Sequence, residues 1–598
     1  MITPQNPKDK ASLAKIGAFS GVELALIAPV RYDDLTICAT PKINELNTVE
    51  IVVQSVKTHP RFFKASAIAW GVEVEIIIFN PTAFHFTTFK SGARFFVRAK
   101  LERNFGATQL VQPKIVAETG KIVPVYKTTL AQKTVARLMG EYLKLDDLID
   151  EGMPQVLAQK LFALHEPKAG VSFDNALKEA MYALKFAEIY IFLKKLSSKK
   201  QFFKASAKLD GDERAFVKSL PFALTSDQRK AIEDIKNDFL KDNAARRVIM
   251  GDVGSGKTVV ILASVMMAYP KRSVLMAPTT ILAMQIFNES KRLLPPHVKV
   301  VLVESGDKKP NLTEADFIIG THALLYRELP KCDLVMIDEQ HRFGTAQRDG
   351  VHKLVSDGTA HPHFLQFSAT PIPRTMSLIH SSLVNYSFIK EMPFVKNIST
   401  FIIGKSGFGK MLGHIENEIK HGRQTIVIYP LVEESEAYNY QSIDEGRAFW
   451  EKRYKDVYVT HGKDKNKEQI LEEFDKKGSI LLATTVVEVG ISLPKLSTIV
   501  IVGAEHLGLA TLHQLRGRVS RVGLEGYCYL YTNNVKNERL SEFANTKSGF
   551  DIAELDLNYR QSGDVLSGIL QHGVQFKWFS LKDDKKVLLE AQKVLGVF

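Results

Sequence analysis

The chain has 598 residues, of which 45% are hydrophobic and 24% are charged, and this composition excludes a disordered or low-complexity protein. The length corresponds to about four domains. The 79 Lys and Arg residues exceed the 66 Asp and Glu residues, and the formal charge of +13 favours a polyanionic partner or an acidic membrane surface without choosing between them.

The cysteines are few and far apart, and their spacing indicates neither a zinc site nor a disulfide framework: Cys38, Cys332 and Cys528. The segment Met1–Lys10 is polar, and no apolar run approaches the roughly 18 residues that a membrane span needs. We therefore expect a cytoplasmic protein that does not bind a membrane.

The first pattern of strands lies between residues 46 and 128, after a short helical segment. Runs of β-branched and aromatic residues, separated by Pro, Gly and Asn, predict a small barrel of the OB type. The runs are Ile51–Val56, Val72–Phe79, Ala93–Leu101 and Gln109–Val116.

Phenylalanines cluster at one turn of this barrel: Phe79, Phe84, Phe86 and Phe89. OB-type barrels often bind single strands by stacking bases on aromatic side chains, which makes Phe79 and Phe84 candidate nucleic-acid contacts. The alternative is that the phenylalanines form the hydrophobic core.

Helical spacing returns over residues 129–215, and Ala176–Leu193 is its strongest helix. Thr225 is then predicted to be the N-cap of a helix over Asp227–Phe239. Gln228 lies in the first turn of that helix, upstream of a phosphate loop, where its amide can pair with the donor and acceptor of adenine. This position favours ATP over GTP.

A phosphate-binding loop follows, with the spacing G-x-x-x-x-G-K-[ST]. Its residues are Gly251, Asp252, Val253, Gly254, Ser255, Gly256, Lys257 and Thr258. Glycines let the backbone N–H groups curl toward a phosphate, Lys257 can reach the β- and γ-phosphates, and Thr258 can hold Mg²⁺. The apolar strand before the loop and the helical run after it favour a nucleoside triphosphate site over a glycine-rich turn with a chance lysine.

Short apolar runs alternate with helical segments through the rest of the chain, and this pattern occurs twice. Such runs are typical of parallel strands covered on both faces, so we predict two doubly wound α/β lobes. The runs are Val248–Met250, Ser273–Ala277, Phe317–Gly320, Leu334–Ile337 and Phe364–Phe367, and then Thr425–Tyr429, Val457–Val459, Ser479–Ala483, Thr498–Val502 and Tyr527–Tyr531. Gly404–Lys410 imitates a phosphate loop, but Met411 stands where Mg²⁺ needs a hydroxyl, so we predict a linker between the lobes.

Two adjacent carboxylates, Asp338 and Glu339, follow the predicted strand Leu334–Ile337. At the end of a strand beside a phosphate loop, Asp338 can hold Mg²⁺ and Glu339 can orient and deprotonate the attacking water. An ordinary acidic turn is the alternative, and the strand and the loop upstream disfavour it.

Arginines stand near the end of the second lobe, in the segment QLRGRVSR over residues 514–521. Phosphoryl transfer needs positive charge on the transferring phosphate, and an arginine from another lobe contributes about 10³ to 10⁵ in rate. Arg518 and Arg521 are three residues apart and share one helical face, so they are candidate arginine fingers. A basic surface helix is the alternative.

The motifs together resemble a superfamily 2 helicase motor. In order they are GDVGSGKT, MAPTTILAMQ, GTHALL, DEQHRFG, SATPIPRT, ATTVVEVGISLP and QLRGRVSR. The longer segments DEQHRFGTAQR, TTVVEVG and AEHLGLATLHQLRGRVSR are similar to the RecG family of bacterial ATP-dependent DNA helicases. This resemblance covers residues 220–573 and is looser upstream.

The resemblance implies an α/β fold in which two tandem RecA-like motor lobes, each a doubly wound parallel sheet, follow an OB-type barrel wedge and helical segments. The expected domains are an N-terminal helical segment (1–45), the wedge (46–128), a helical linker (129–215), the ATP-binding lobe (216–398), the second lobe (399–545), and a translocation hairpin with a tail (546–598).

The resemblance also assigns roles to single residues. In these assignments Gln228 and residues 251–258 bind ATP, and Thr258 and Asp338 hold Mg²⁺. The catalytic set is Lys257, Asp338, Glu339, Arg518 and Arg521; Ser368 and Thr370 couple hydrolysis to lobe movement; and Arg560 and Gln571 belong to the translocation hairpin.

The implied activity is ATP-dependent translocation on double-stranded DNA, of the 3′–5′ class, which remodels stalled forks and Holliday junctions in recombination and repair. The expected partners are forked and four-way DNA, with a single-stranded-DNA-binding protein as a second partner, and the expected state is a monomer.

This chain departs from the family pattern at a few positions. Ser492 stands where the family has Asp, Ser520 replaces a glycine, and Leu570 replaces an arginine. Ser492 and Leu570 leave open a junction-binding protein without productive turnover, although the retained site residues disfavour it. An RNA helicase is a further alternative, which DEQH and its RecG-like neighbours disfavour. A plain amphipathic helix is the alternative for the C-terminal hairpin.

Overall fold

The computed structural model describes most of the chain in two compact units. The described residues are 2–58, 62–104, 106–198, 200, 202–304, 311–339, 360–369, 379, 384–394, 396–431, 440–462, 464, 466–484, 493–520, 523–556, 559 and 576–596. The first unit comprises residues 1–195 and 576–598, and the second comprises residues 196–575. Within the described ranges, the helices are all too short or too polar to cross a membrane.

A closed barrel forms the centre of the first unit, as the sequence predicted, with its strands in the order β2-β3-β4-β6-β5. The elements up to the end of the barrel are α1 (Pro7–Lys15), α2 (Gly21–Ala25), β1 (Arg31–Asp34), β2 (Leu46–Thr58), β3 (Phe62–Ala69), β4 (Val72–Phe79), α3 (Ala83–Thr88), β5 (Arg94–Asn104) and β6 (Ala107–Val116). Neighbouring strands pair antiparallel except β4 and β6, which run parallel.

The phenylalanine cluster divides between the barrel core and its surface. Phe89 is 1% exposed and packs in the core beside Phe63 and Phe95. Phe79, Phe84 and Phe86 are 51%, 59% and 43% exposed. Phe84 and Phe86 belong to α3, a short helix without a buried residue. The core interpretation is therefore confirmed for Phe89, and base stacking by the exposed members stays a prediction.

Helices follow the barrel and complete the first unit. They come after β7 (Ile122–Val125), which pairs with β1, and are α4 (Gln132–Tyr142), α5 (Leu145–Asp150), α6 (Gln155–Ala163) and α7 (Phe173–Ser197). The predicted helix Ala176–Leu193 lies within α7.

The first lobe of the second unit is a parallel sheet with the strand order β11-β12-β10-β13-β15-β9-β16. Its elements are β8 (Lys204–Ala205), α8 (Glu213–Ser219), α9 (Ser226–Phe239), β9 (Arg246–Gly251), α10 (Lys257–Ala268), β10 (Ser273–Met276), α11 (Thr280–Leu293), β11 (Val300–Val303), β12 (Phe317–Gly320), β13 (Leu334–Asp338), β14 (Ala360–His361), β15 (His363–Ser368) and β16 (Asn385–Ile389). The short strands β8 and β14 pair with each other outside this sheet.

The second lobe is a parallel sheet with the order β17-β22-β21-β18-β20-β19. Its elements are β17 (Ile398–Ile403), α12 (Phe408–Lys420), β18 (Gln424–Ile428), α13 (Ile443–Arg453), β19 (Val457–Thr460), α14 (Lys467–Lys477), β20 (Ile480–Ala483), β21 (Leu496–Val502), α15 (Leu509–Arg516), β22 (Gly526–Tyr531) and α16 (Glu538–Asn545). The predicted pair of doubly wound lobes is therefore confirmed.

Within the two lobe sheets, the strands that the apolar runs did not predict are β11, β16 and β17, and all of them lie at sheet edges. Each has one neighbouring strand; β11 and β16 mix buried and partly exposed residues, and β17 has no fully buried residue. An edge strand does not need the continuous apolar sequence of a strand buried on both faces, which explains why the pattern missed them.

The prediction that Gly404–Lys410 is a linker between the lobes was wrong. This segment lies inside the second lobe, where it forms the turn between β17 and α12. Met411 is 1% exposed in the core of that lobe, so the position that lacks a hydroxyl is a packing position. The connection between the two sheets is instead the stretch 390–397, between β16 and β17.

The chain returns to the first unit through α17 (Lys585–Val594). The Glu188 carboxylate of α7 accepts the backbone N–H groups of residues 577–579 at 2.7 to 2.8 Å. These bonds attach the closing segment of the chain to α7.

Candidate active site

Three adjacent strands bring the phosphate loop, the acidic pair and Ser368 to one edge of the first sheet. β13, β15 and β9 are neighbours and run parallel. In this register Asp338 pairs with Phe367, and Ser368 pairs with Met250, at the end of the strand that enters the phosphate loop. Ligands of open α/β sheets bind outside the carboxyl ends of the strands, which is where these residues lie.

The phosphate loop has the backbone that its glycines predict. Gly254 and Gly256 have φ values of +81° and +80°, in the left-handed region that favours glycine. Gly256 is also the N-cap of α10, and Lys257 is the first residue of that helix. The Lys257 ammonium donates to the carbonyls of Gly251 and Asp252 at 2.8 and 3.2 Å. The lysine therefore folds back over the loop, where a phosphate would compete with these carbonyls.

Gln228 supports the loop from α9. Thr225 is the predicted N-cap, and the Gln228 side chain completes its capping box by accepting the Thr225 N–H at 2.9 Å. The Gln228 Nε2 donates to the Ser255 carbonyl at 2.8 Å, and the side chain is buried. Its amide is thus engaged by the protein on both sides, and adenine recognition by Gln228 stays a prediction.

The acidic pair is buried at the end of β13. Asp338 and Glu339 are each 8% exposed. Burial, followed by the charge of Glu339, raises the pKa of Asp338 to about 7, although the positive charge of Lys257 lowers it. Asp338 Oδ1 is buried and has no hydrogen-bond partner among the described residues. Such a buried carboxylate oxygen fits a hydrated Mg²⁺, which proteins hold with one or two carboxylates plus phosphates.

Glu339 connects the acidic pair to the next strand. Its φ of +52° is rare for a residue with a side chain, and such strain is common at functional sites. The Glu339 N–H donates to the Phe367 carbonyl at 2.8 Å, and the Ala369 N–H donates to Glu339 Oε1 at 2.5 Å. Ala369 directly follows Ser368, so the predicted coupling segment touches the predicted base. Thr370 lies outside the described residues.

The second lobe contacts the phosphate loop directly. The His513 imidazole donates from Nε2 to Asp252 Oδ1 at 2.6 Å. A Cβ on Gly517 would lie 3.2 Å from the Val253 Cβ, so the Arg516-Gly517-Arg518 turn packs against the loop. Arg518 directly follows Gly517 in the chain, and it is buried. The other predicted finger, Arg521, lies outside the described residues.

Arg516 has a structural role that the sequence analysis did not assign. Its guanidinium is buried, donates to the carbonyls of Phe543 and Thr546 at 3.0 and 2.7 Å, and stacks on the Phe543 ring. Arg516 therefore joins α15 to the end of α16.

Sequence reasoning also missed the residues of the connecting stretch. Asp227 accepts the N–H groups of Lys390 and Glu391 at 2.8 Å, and the Lys396 ammonium donates to the Val253 carbonyl at 2.5 Å. Nothing in the local pattern around Lys396 indicates a site. His513 could have been found, because it directly precedes the QLRGR segment.

Some of the remaining predicted site residues lie on the barrel surface, and others lie outside the described residues. Phe79 and Phe84 are exposed on the barrel, as a stacking role requires. Arg560 and Gln571 of the expected hairpin, like Ser492 and Leu570, lie outside the described residues.

The same elements match two known protein families. Residues 225–379 match the DEAD/DEAH box helicase family, and residues 409–523 match the helicase conserved C-terminal domain. The first range contains the phosphate loop and the acidic pair, and the second contains His513 and the arginine segment.

The similarity to individual proteins extends over nearly the whole chain. The chain is 43% identical to the ATP-dependent DNA helicase RecG of Helicobacter pylori (strain ATCC 700392 / 26695) over 589 residues, which cover 95% of this chain and 94% of the relative. It is 33% identical to RecG of Aquifex aeolicus (strain VF5), over 94% of this chain and 79% of the relative. A solved structure of RecG bound to a three-way DNA junction has a TM-score of 0.56 and 26% identity, and the match covers 99% of this chain and 84% of that one. This chain therefore belongs to the RecG family of ATP-dependent DNA helicases.

Proposed function

We propose that the chain hydrolyses ATP at the loop Gly251–Thr258 and uses the energy to move along double-stranded DNA, thereby regressing stalled replication forks and migrating four-way junctions. The observation that carries this proposal is the contact of the arginine segment with the phosphate loop. Gly517 packs on Val253, and this contact supports a site that the two lobes share. A site of this kind can convert a change at the phosphates into a relative movement of the lobes.

In this proposal the loop and Gln228 hold the nucleotide. The backbone N–H groups at the start of α10 face the phosphates, and Lys257 exchanges its carbonyl contacts for the β- and γ-phosphates. Gln228 keeps the loop in place through Ser255 and contributes to the preference for ATP.

Thr258 and Asp338 are the residues that would hold Mg²⁺. When bound, Mg²⁺ would neutralise negative charge on the phosphates. Glu339, fixed by the Ala369 amide, orients the attacking water and accepts its proton.

Positive charge on the transferred phosphate comes from the second lobe, through Arg518 and Arg521. Ser368 and Thr370 transmit the chemistry to the lobes, because the segment that they flank is bonded to Glu339. Arg560 and Gln571 would act on the duplex as parts of the translocation hairpin.

On the DNA side, we assign base stacking at the branch point to Phe79 and Phe84. Forked and four-way DNA are the proposed partners, the polarity is 3′–5′, and a single-stranded-DNA-binding protein is a further proposed partner. We also propose that the chain acts as a monomer in the cytoplasm, where a bacterial chromosome lies.

Replacement of the loop lysine tests the nucleotide site. Lys257→Ala should lower kcat for ATP hydrolysis by at least about a hundredfold, because it removes the ammonium group that contacts the γ-phosphate during transfer. The measurement is phosphate release with saturating forked DNA. Lys271→Ala, which alters an exposed lysine just after α10, is the matched control and should behave as the wild type. Near-normal turnover in Lys257→Ala would contradict the assignment.

A comparison of nucleic acids tests the substrate. ATP hydrolysis should rise most with forked and four-way DNA, less with linear duplex, and least with structured RNA of equal length. Equal stimulation by structured RNA would favour an RNA helicase. A rate that does not respond to junction DNA would favour a junction-binding protein without productive turnover.

The barrel aromatics give a third prediction. Phe84→Ala should weaken binding to forked DNA by about tenfold, since the stacking of one base contributes about 1–3 kcal/mol. The measurement is fluorescence anisotropy at fixed salt, because affinity for DNA depends steeply on salt. Phe19→Ala removes an equally exposed ring elsewhere in the first unit and is the control. If the two variants lose the same affinity, Phe84 has no specific role.

The direction of translocation along DNA is tested by blocking one strand at a time. An uncharged methylphosphonate patch on the strand that is followed 3′ to 5′ should stop fork regression, whereas the same patch on the complementary strand should leave it active. The opposite pattern would assign 5′–3′ movement.

A further inference from the structure

Asp252, the second residue of the phosphate loop, directs its side chain at the second lobe. Its Oδ1 accepts from His513 Nε2 at 2.6 Å and from its own neighbour, the Val253 N–H, also at 2.6 Å. Its Oδ2 accepts from the Gly549 N–H at 3.1 Å. The side chains of His513 and Asp252 are 8% and 14% exposed, so the pair is largely shielded from water.

Gly549 is the first residue of the helical stretch 549–556, which starts after Ser548. The first N–H groups of a helix have no partner within it, and they favour a negative charge. Asp252 therefore caps this stretch from the other lobe. Arg516 positions the residues just before this stretch, because its guanidinium donates to the carbonyls of Phe543 and Thr546.

Gly549 and Gly517 permit this contact. A Cβ on Gly549 would lie 2.6 Å from His513 Nε2 and 2.7 Å from Asp252 Oδ2. A Cβ on Gly517 would crowd Val253 at 3.2 Å. Any larger residue at position 549 would push the pair apart.

The charges around Asp252 keep it ionised. Burial opposes ionisation of Asp252, but the hydrogen bond from His513, followed by the positive charges of His513 and Lys396, lowers the pKa of Asp252 to about 2. Arg516, which is buried next to His513, adds a further positive charge on the same side. The contact is thus a charged hydrogen bond, which is stronger than a neutral one.

We propose that Asp252 is a positioning residue whose carboxylate, held by His513 and the Gly549 amide, sets the register of the second lobe on the phosphate loop. The Asp252 main chain also accepts from Lys257, so a displacement of this residue is felt by the loop lysine. The inference rests on the proposed nucleotide site, and it assigns the Asp252 side chain to the lobe contact rather than to the nucleotide.

A reversal of hydrogen-bond polarity tests the proposal. His513→Glu places a carboxylate against Asp252 and should lower DNA-stimulated kcat at least about tenfold, with the KM for ATP changing less than about threefold, because the pair faces the lobe and not the phosphates. Adding Asp252→Asn lets the new amide donate to the carboxylate introduced at position 513, and kcat should rise above that of His513→Glu to within about threefold of Asp252→Asn alone.

A glycine pair provides the matched control. Gly549→Ala should lower kcat like His513→Glu, whereas Gly413→Ala should not, because no described atom lies within 4 Å of a Cβ at position 413 in α12. The positioning role would be overturned if the kcat losses of His513→Glu and Asp252→Asn multiply in the double variant. A wild-type rate in Gly549→Ala would also overturn it. Either result leaves the nucleotide site intact if Lys257→Ala is inactive, whereas an active Lys257→Ala refutes the site itself.

Discussion

The phosphate loop is held by hydrogen bonds that reach it from three separate parts of the second unit. Gln228 of α9 donates to the Ser255 carbonyl, Lys396 of the connecting stretch donates to the Val253 carbonyl, and His513 of the second lobe donates to the Asp252 carboxylate. All three outside groups are donors, and they occupy oxygen atoms of the loop. They therefore do not compete for the backbone N–H groups that a phosphate needs.

The parallel sheet of the first lobe explains why the chemistry gathers at one edge. Strands β9, β15 and β13 are adjacent and in register, so the loop, Ser368 and Asp338 emerge side by side. The unusual φ of Glu339 turns its carboxylate toward the Ala369 amide, which links the ends of β13 and β15. The acidic pair is therefore hydrogen-bonded to the segment that follows the neighbouring strand.

The barrel closes its core without three of its phenylalanines. Phe63 and Phe89 fill its interior, while Phe79, Phe84 and Phe86 remain at the surface although they lie near in sequence. Because the core closes without the exposed rings, these rings are available to nucleic acid, and their loss does not open a cavity. The same division appears in the second lobe, where Arg516 holds the backbone and Arg518 follows the glycine that meets the loop.

Local rules sufficed for part of this protein. The loop, its flanking strand and helix, the Thr225 cap and the buried strands follow from glycine conformation, capping chemistry and apolar runs, all of which act between residues close in sequence. The order of the motifs also indicated the family. The edge strands β16 and β17 and the role of Gly404–Lys410 required the sheets, because an edge position relaxes the apolar pattern. Only the tertiary structure decided which phenylalanines are exposed and that His513, Gly549 and Lys396 meet the loop. These contacts join residues more than 140 positions apart, and no local pattern encodes the packing that brings them together.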